Sequence, residues 1–290
     1  MTDKLRCGII CALEELDPAY PVTLRGDMRL VTEEAVRAGF EAIEWHIRNP
    51  LQYDGKALRE AAKKRGLATA AVSTGLEYVL NGLSLTSDDE TVRGNALGRL
   101  KEHIDFAEKI ECPTVIIGSM RGNIPDSRVY DSYEGRLTDA VLELSNYAEK
   151  SGVCICVEAI NRKWTNYLCS VPETLRYVEK VGRPNFRIHI DTYQMNEESR
   201  IEEPPPLPSD LGEEVKMCAG RLGHVHFSDD NRRVPGEGNI DFLPVLRALH
   251  EISYDGFAVM ETVGYPLGGQ AVKMSLEMLR GLEAGIAKKR

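Results

Sequence analysis

The sequence predicts a closed (β/α)8 TIM barrel: eight parallel strands, each followed by an outer helix. Two observations carry this. Short apolar runs alternate with longer amphipathic stretches along the whole chain. No glycine-rich turn follows the first run, where an open doubly wound sheet usually places one. The length agrees, since 290 residues is close to the usual size of one such barrel. The whole span, 1–290, is read as one domain.

The predicted strands cover residues 7–11, 42–46, 68–73, 114–118, 153–158, 186–191, 222–227 and 256–261. Several are nearly continuous apolar runs, such as Val115-Ile116-Ile117, as expected of strands covered on both sides. Ser87-Asp88-Asp89-Glu90 reads as a capping box ahead of a long helix through Ala107. Ser170-Val171-Pro172-Glu173 opens another, with Leu175, Val178 and Val181 on one face. Residues 56–65 and 139–150 have the same helical spacing. Gly66, Gly152 and Gly182 fall just past helix ends, where a left-handed residue is wanted. The proline-rich stretch 202–208 is excluded from helix and inner strand and predicts a loop before a helix starting near Ser209.

A hydrophobic content of 42% supplies a large core, and charges are mixed without long blocks of one sign. The net charge of −9 makes nucleic acid a poor partner. No segment approaches the roughly 20 apolar residues of a membrane span, and the N-terminus lacks the apolar stretch of a signal peptide. Seven cysteines without a CxxC pair predict reduced core thiols, which fits a cytoplasmic protein. Homo-oligomerisation is left open.

Barrel enzymes keep their chemistry at the C-terminal ends of the strands. Strand five ends in Glu158, six in Asp191, seven in His226 and eight in Glu261. One acidic residue after a strand is often only a helix cap. Four potential ligands at one height on neighbouring strands are hard to obtain that way. Unpaired carboxylates at a barrel mouth repel one another, and a divalent cation removes that cost. Three carboxylates, one imidazole and no thiolate favour Mn2+, Mg2+ or Co2+ over a structural zinc. His189 and His224 share strand faces with Asp191 and His226 and should lie one layer deeper, as packing or as support for the ligands.

These residues sit in extended strings: Val157-Glu158-Ala159-Ile160-Asn161-Arg162, His189-Ile190-Asp191-Thr192-Tyr193-Gln194-Met195-Asn196, the stretch from Gly223-His224-Val225-His226 through Arg232-Arg233-Val234-Pro235-Gly236-Glu237-Gly238, and Val259-Met260-Glu261. Over residues 153–262 the chain resembles the xylose isomerase-like TIM-barrel superfamily. Within it the ketose 3-epimerases of the D-tagatose, D-psicose and L-ribulose types are most similar. The resemblance implies that Glu158, Asp191, His226 and Glu261 bind Mn2+ or a similar ion. It also implies that Glu158 and Glu261 are the acid/base pair and that Arg232 contacts the substrate. Two positions depart from the epimerase pattern: Trp164 stands where the family has a substrate-contacting Glu, and Gln194 where it has a His. Both are expected to set which sugar is accepted. The same superfamily includes other sugar and tetronate isomerases, and lyases or decarboxylases acting on oxo-sugars.

The chemistry fits the arrangement. Moving a hydrogen beside a carbonyl means removing a weakly acidic C–H proton, and a metal on the carbonyl and neighbouring hydroxyl stabilises the enediolate. One carboxylate takes the proton and an acid returns it. Weaker candidates at strand ends are Glu44 and His46 after strand two and Arg121 after strand four, the last to hold a hydroxyl, carboxylate or phosphate. Trp45 is expected to pack in the wall. Three other functions compete. A lyase on an oxo-sugar shares the first proton abstraction. An abasic-site endonuclease would need an Asp-x-x-His pair where Gln194 stands. A catalytically dead sugar-binding module would not need both glutamates.

Overall fold

The computed structural model describes residues 4–125, 129–201 and 210–287. Eight parallel strands follow one another around a ring: β1 (Arg6–Ala12), β2 (Ala42–His46), β3 (Ala68–Ser73), β4 (Thr114–Ile116), β5 (Cys154–Glu158), β6 (Phe186–Asp191), β7 (Leu222–Phe227) and β8 (Phe257–Met260). β1 pairs with both β2 and β8, which closes the barrel. Predicted and observed bounds coincide at β2, β3, β6 and β7. β4 stops early because Gly118 turns to φ 50° and residues Gly118–Arg121 wind into a 3-10 turn. Leu24–Arg25 adds a two-residue parallel pairing beside β1, too short to show a period in the sequence.

The helices are α1 (Met28–Ala38), α2 (Gly55–Lys64), α3 (Leu76–Asn81), α4 (Glu90–Lys109), α5 (Tyr130–Glu149), α6 (Val171–Val181), α7 (Thr192–Ser199), α8 (Leu211–Met217), α9 (Phe242–Glu251) and α10 (Ala271–Ala287). The predicted cap of α4 is corrected. Asp89, not Ser87, caps it, accepting from Thr91 N at 2.7 Å. The charged carboxylate nearer the first turn is the stronger acceptor for amides at the positive helix end. Ser170 caps α6 as expected, and α6 buries Val171, Thr174, Leu175 and Val178 along one stripe. Gly66, Gly152 and Gly182 all take left-handed φ values, at 72°, 68° and 70°. α5 begins well before the predicted 139. The predicted loop at 202–208 lies outside the described residues, and α8 opens behind Asp210.

The core has two layers. Large side chains such as Ile9, Ile43, Trp45, Val72, Ile188 and Val225 fill the space between barrel and helices. The inner clusters mix small groups, Ala12, Ala42, Ala70 and Ala71, with larger ones such as Ile10, Phe257 and Val259. The alanines leave room inside for polar side chains. A register shift lies in the β6–β7 pairing between Ile188 and His189. It lets Leu222 face the outer layer while His224 and His226 face the lumen. Gly223 sits at this irregularity, where a Cβ would come within 2.5 Å of Cys156 Sγ, so only glycine fits. Among the described residues, no helix is long and apolar enough to cross a membrane.

Candidate metal and active site

The C-terminal mouth brings the four predicted ligands together. Glu158 ends β5, Asp191 ends β6, His226 is next to last in β7, and Glu261 directly follows β8. One ligand atom from each lies within 4.8 Å of the other three. Two donors placed across an ion with bonds of roughly 2.0–2.6 Å stand about 4–5 Å apart, so the set is the right size. His226 Nδ1 is buried, has no hydrogen-bond partner and lies 3.3 Å from Glu261 Oε2. A buried imidazole nitrogen without a partner, facing three carboxylates, fits a divalent cation. Asp191 also serves as a helix cap: its Oδ1 accepts from Tyr193 N and Gln194 N at the start of α7. Cap and candidate ligand are thus one residue.

The charges balance one another closely. Burial, and then the charges of Glu261 and Asp191, push the Glu158 carboxyl up to about 8. Burial likewise raises Asp191, against the pull of Arg232. For Glu261 burial is outweighed by His226 and Arg232, and its pKa falls. Burial opposes a charge on His226, but Glu44 and Glu261 overcome it and hold the imidazole well above its usual value. Near neutral pH, Glu158 and His226 therefore each hold a proton, and a divalent cation would displace both. Metal uptake at pH 7 should release between one and two protons per ion, and affinity should climb as pH rises toward 8. Calorimetry in buffers of different ionisation enthalpy reads this number. Uptake with no proton release would show that the cluster is not protonated.

Arg232 stands over the cluster. Its Nη1 donates to Asp191 Oδ2 at 2.7 Å and to Glu261 Oε2 at 3.2 Å, and its guanidinium lies 4.1 Å from the centre of the Tyr193 ring. Buried Asp229 explains why the loop after β7 holds this shape. Its carboxylate accepts the amides of Asp230, Gly236, Gly238 and Ile240 at 2.8–3.0 Å. A Cβ at Gly238 would collide with that carboxylate.

Other predicted residues fall in different places. His46 is buried at the mouth with both ring nitrogens unpartnered, and burial lowers its pKa. Trp164 is 69% exposed on the loop after β5. Gln194 is buried, and its Oε1 accepts from the Asn161 amide at 3.2 Å and from Asn161 Nδ2. Asn161 in turn accepts from Trp164 N at 3.0 Å, so Gln194 holds the loop that carries Trp164. Arg121 requires correction. It is fully buried and donates to the carbonyls of Glu158, Tyr167 and Leu168, so its hydrogen bonds clamp backbone rather than reach the mouth. A cation placed before so many inward-facing carbonyls is drawn to them. Trp45 packs in the wall as expected.

The sequence reading undervalued Glu44. It is fully buried beneath the cluster, 2.7 Å from His224 Nε2 and 3.0 Å from His226 Nε2. The signal was its parity with His46, which turns it into the lumen. His189 and His224 lie in the same deeper layer, their rings 4.2 and 5.1 Å from that of His226.

The family model described as "Xylose isomerase-like TIM barrel" matches residues 32–282. The chain belongs to this family. A D-psicose 3-epimerase of Ruminiclostridium cellulolyticum is 32% identical over 272 residues, covering 91% of this chain and 87% of that one. A 3-dehydro-D-guloside 4-epimerase of Escherichia coli is 28% identical over 154 residues, covering 53% of this chain and 55% of that one. Among solved structures, an L-ribulose 3-epimerase superposes with a TM-score of 0.80 at 22% identity, over 99% of this chain and 97% of that one. That likeness is one of fold.

Proposed function

We propose that this chain is a divalent-metal-dependent isomerase or epimerase acting on a keto-sugar or polyol acid. The carrying observation is the convergence of Glu158, Asp191, His226 and Glu261 around one point. The named activities of its relatives, 3-epimerase and 4-epimerase, point to the same class of proton transfer. Mn2+ suits the donor set best, with Mg2+ or Co2+ next. When bound, the cation would polarise the carbonyl and a neighbouring hydroxyl of the sugar.

Glu158 and Glu261, from strands five and eight, would stand on opposite sides of the reacting carbon, one removing its proton and the other returning one. Arg232 would donate to a substrate oxygen from above, and the unpartnered nitrogens of His46 offer a second contact. Gln194 would act through the loop it holds. Incubation of Mn2+-loaded protein with ketoses, tetronates and oxo-glycosides in D2O tests the assignment. Deuterium entering beside the carbonyl supports it, and no exchange with any of them overturns it. A lyase on an oxo-sugar shares the first step, and release of a leaving group in the same assay would identify it.

Trp164 carries the specificity reading. An exposed indole offers an apolar face and one donor, where a glutamate would accept from sugar hydroxyls. The preferred substrate should bear an apolar or aromatic substituent, or be a shorter polyol than a ketohexose. Trp164→Glu should raise kcat/KM for free D-fructose or D-tagatose by roughly 2- to 10-fold, the worth of about one hydrogen bond. Wild-type enzyme that prefers a free ketohexose, with no gain from the substitution, would contradict this.

A further inference from the structure

Below the candidate ligands, one carboxylate collects three side chains. Glu44 Oε2 lies 2.7 Å from His224 Nε2. Its Oε1 and Oε2 lie 3.0 and 3.2 Å from His226 Nε2. The Ser73 hydroxyl donates to Oε1. Glu44 has no exposed surface, so it does not reach the substrate. Three donors converge on its two oxygens, which makes Glu44 the shared acceptor of Ser73, His224 and His226.

A carboxylate has no proton to give, so each histidine nitrogen facing it must be the donor. His226 is thereby required to carry its proton on Nε2 and to turn Nδ1 toward Glu158, Asp191 and Glu261. The ring planes of His189 and His224 stand at 78° and 83° to that of His226 and fix its orientation from below. We infer that Glu44 is a positioning residue: it fixes which nitrogen of His226 is offered to the cation and locks the ring at that angle. This rests on the reading of Glu158, Asp191, His226 and Glu261 as the metal set. It adds a buried negative charge directly behind a neutral ligand, which raises the ligand's basicity.

Glutamine at 44 preserves shape but not function. It has one acceptor oxygen and one amide donor. At least one of Ser73, His224 and His226 would then face an N–H instead of an acceptor. His226 would be free to hold its proton on Nδ1, where it blocks the site.

The test compares Glu44→Gln with wild type in three measurements. Free Mn2+, read by electron paramagnetic resonance, gives affinity. Nitrogen-15 spectra of labelled histidines, recorded metal-free and with diamagnetic Mg2+, locate the His226 proton. Thermal unfolding without metal monitors the fold. The expected result is Mn2+ affinity weakened about 10- to 100-fold, a His226 Nε2 proton seen in wild type and lost or redistributed in the variant, and intact cooperative unfolding. Affinity within twofold of wild type, with the Nε2 proton retained, overturns the inference. If the variant does not fold, the wild-type spectrum decides alone, because a Mg2+-loaded protein with the His226 proton on Nδ1 also overturns it. Failure of wild type itself to bind Mn2+ would instead remove the metal reading, while the metal-free spectra still test Glu44, because a His226 Nε2–H resonance unmoved by Glu44→Gln would show that Glu44 does not hold it.

Discussion

Glu158→Gln and Glu261→Gln should each reduce turnover by at least about 10²- to 10⁴-fold, the usual cost of losing a general acid or base. Weakened metal binding should add to the loss. The two substitutions should differ in the ground state. Glu158 already holds its proton near neutral pH, pushed up to about 8 by burial and by its acidic neighbours. A neutral amide of the same shape therefore disturbs the metal-free cluster little. Glu261 has its pKa lowered by His226 and Arg232, so its replacement leaves Arg232 Nη1 with Asp191 as its remaining carboxylate partner. Glu261→Gln should be the less stable protein of the two.

A sharper outcome separates their roles. With two carboxylates on opposite faces, each variant keeps one of them. Glu158→Gln should still exchange the carbon-bound proton of one epimer with D2O, and Glu261→Gln that of the other. Both assays require metal content matched to wild type, measured on the same samples. A variant with metal bound and near-normal turnover would remove that residue from the mechanism. Loss of exchange with both epimers in both variants would mean that neither face is deprotonated without both glutamates, and the assignment of one base to each face would fall.

Most of the barrel and the ligand set were legible in the sequence because both follow short-range rules. An apolar run is bounded by polar residues, and the residue that closes it lies at the mouth. Glu158, Asp191 and Glu261 each close such a run, and His226 stands one residue before the end of its own. The parity of His189 and His224 was readable for the same reason, although the irregularity at Gly223 was not. Without it, Leu222 would share the lumen face with His224, and only packing against Cys156 reveals why glycine is needed there. Arg121 and Glu44 were misjudged because their roles depend on partners far along the chain. Arg121 is fixed by carbonyls 37 to 47 residues away, and Glu44 by histidines 180 and 182 residues away. A polar residue near a strand end looks the same in sequence whether it meets solvent, backbone or a buried imidazole. Asp191 was weighed as cap or ligand, and the structure makes the alternatives compatible by giving its two oxygens different partners.

Removing metal should have the second large effect, on activity and on stability together. A cation that binds the folded chain alone stabilises it by mass action, about 2.7 kcal/mol at a free concentration 100 times Kd. Unfolding entropies near 2.1 cal/mol/K per residue convert this, for 290 residues, into a Tm rise of about 4 °C. Chelation should reverse the shift and take turnover to background, and Mn2+ should restore both. Asp191→Asn identifies the site. Asparagine caps a helix about as well as aspartate, so α7 should persist, while the anionic oxygen offered to the cation is gone. The metal-free variant should unfold cooperatively, yet show little or none of the Tm rise on adding Mn2+. A full shift retained in Asp191→Asn would place the stabilising ion elsewhere in the molecule. A wild-type enzyme fully active after exhaustive chelation, with no metal detected by elemental analysis, would leave the proton transfer to Glu158, Glu261 and Arg232 alone.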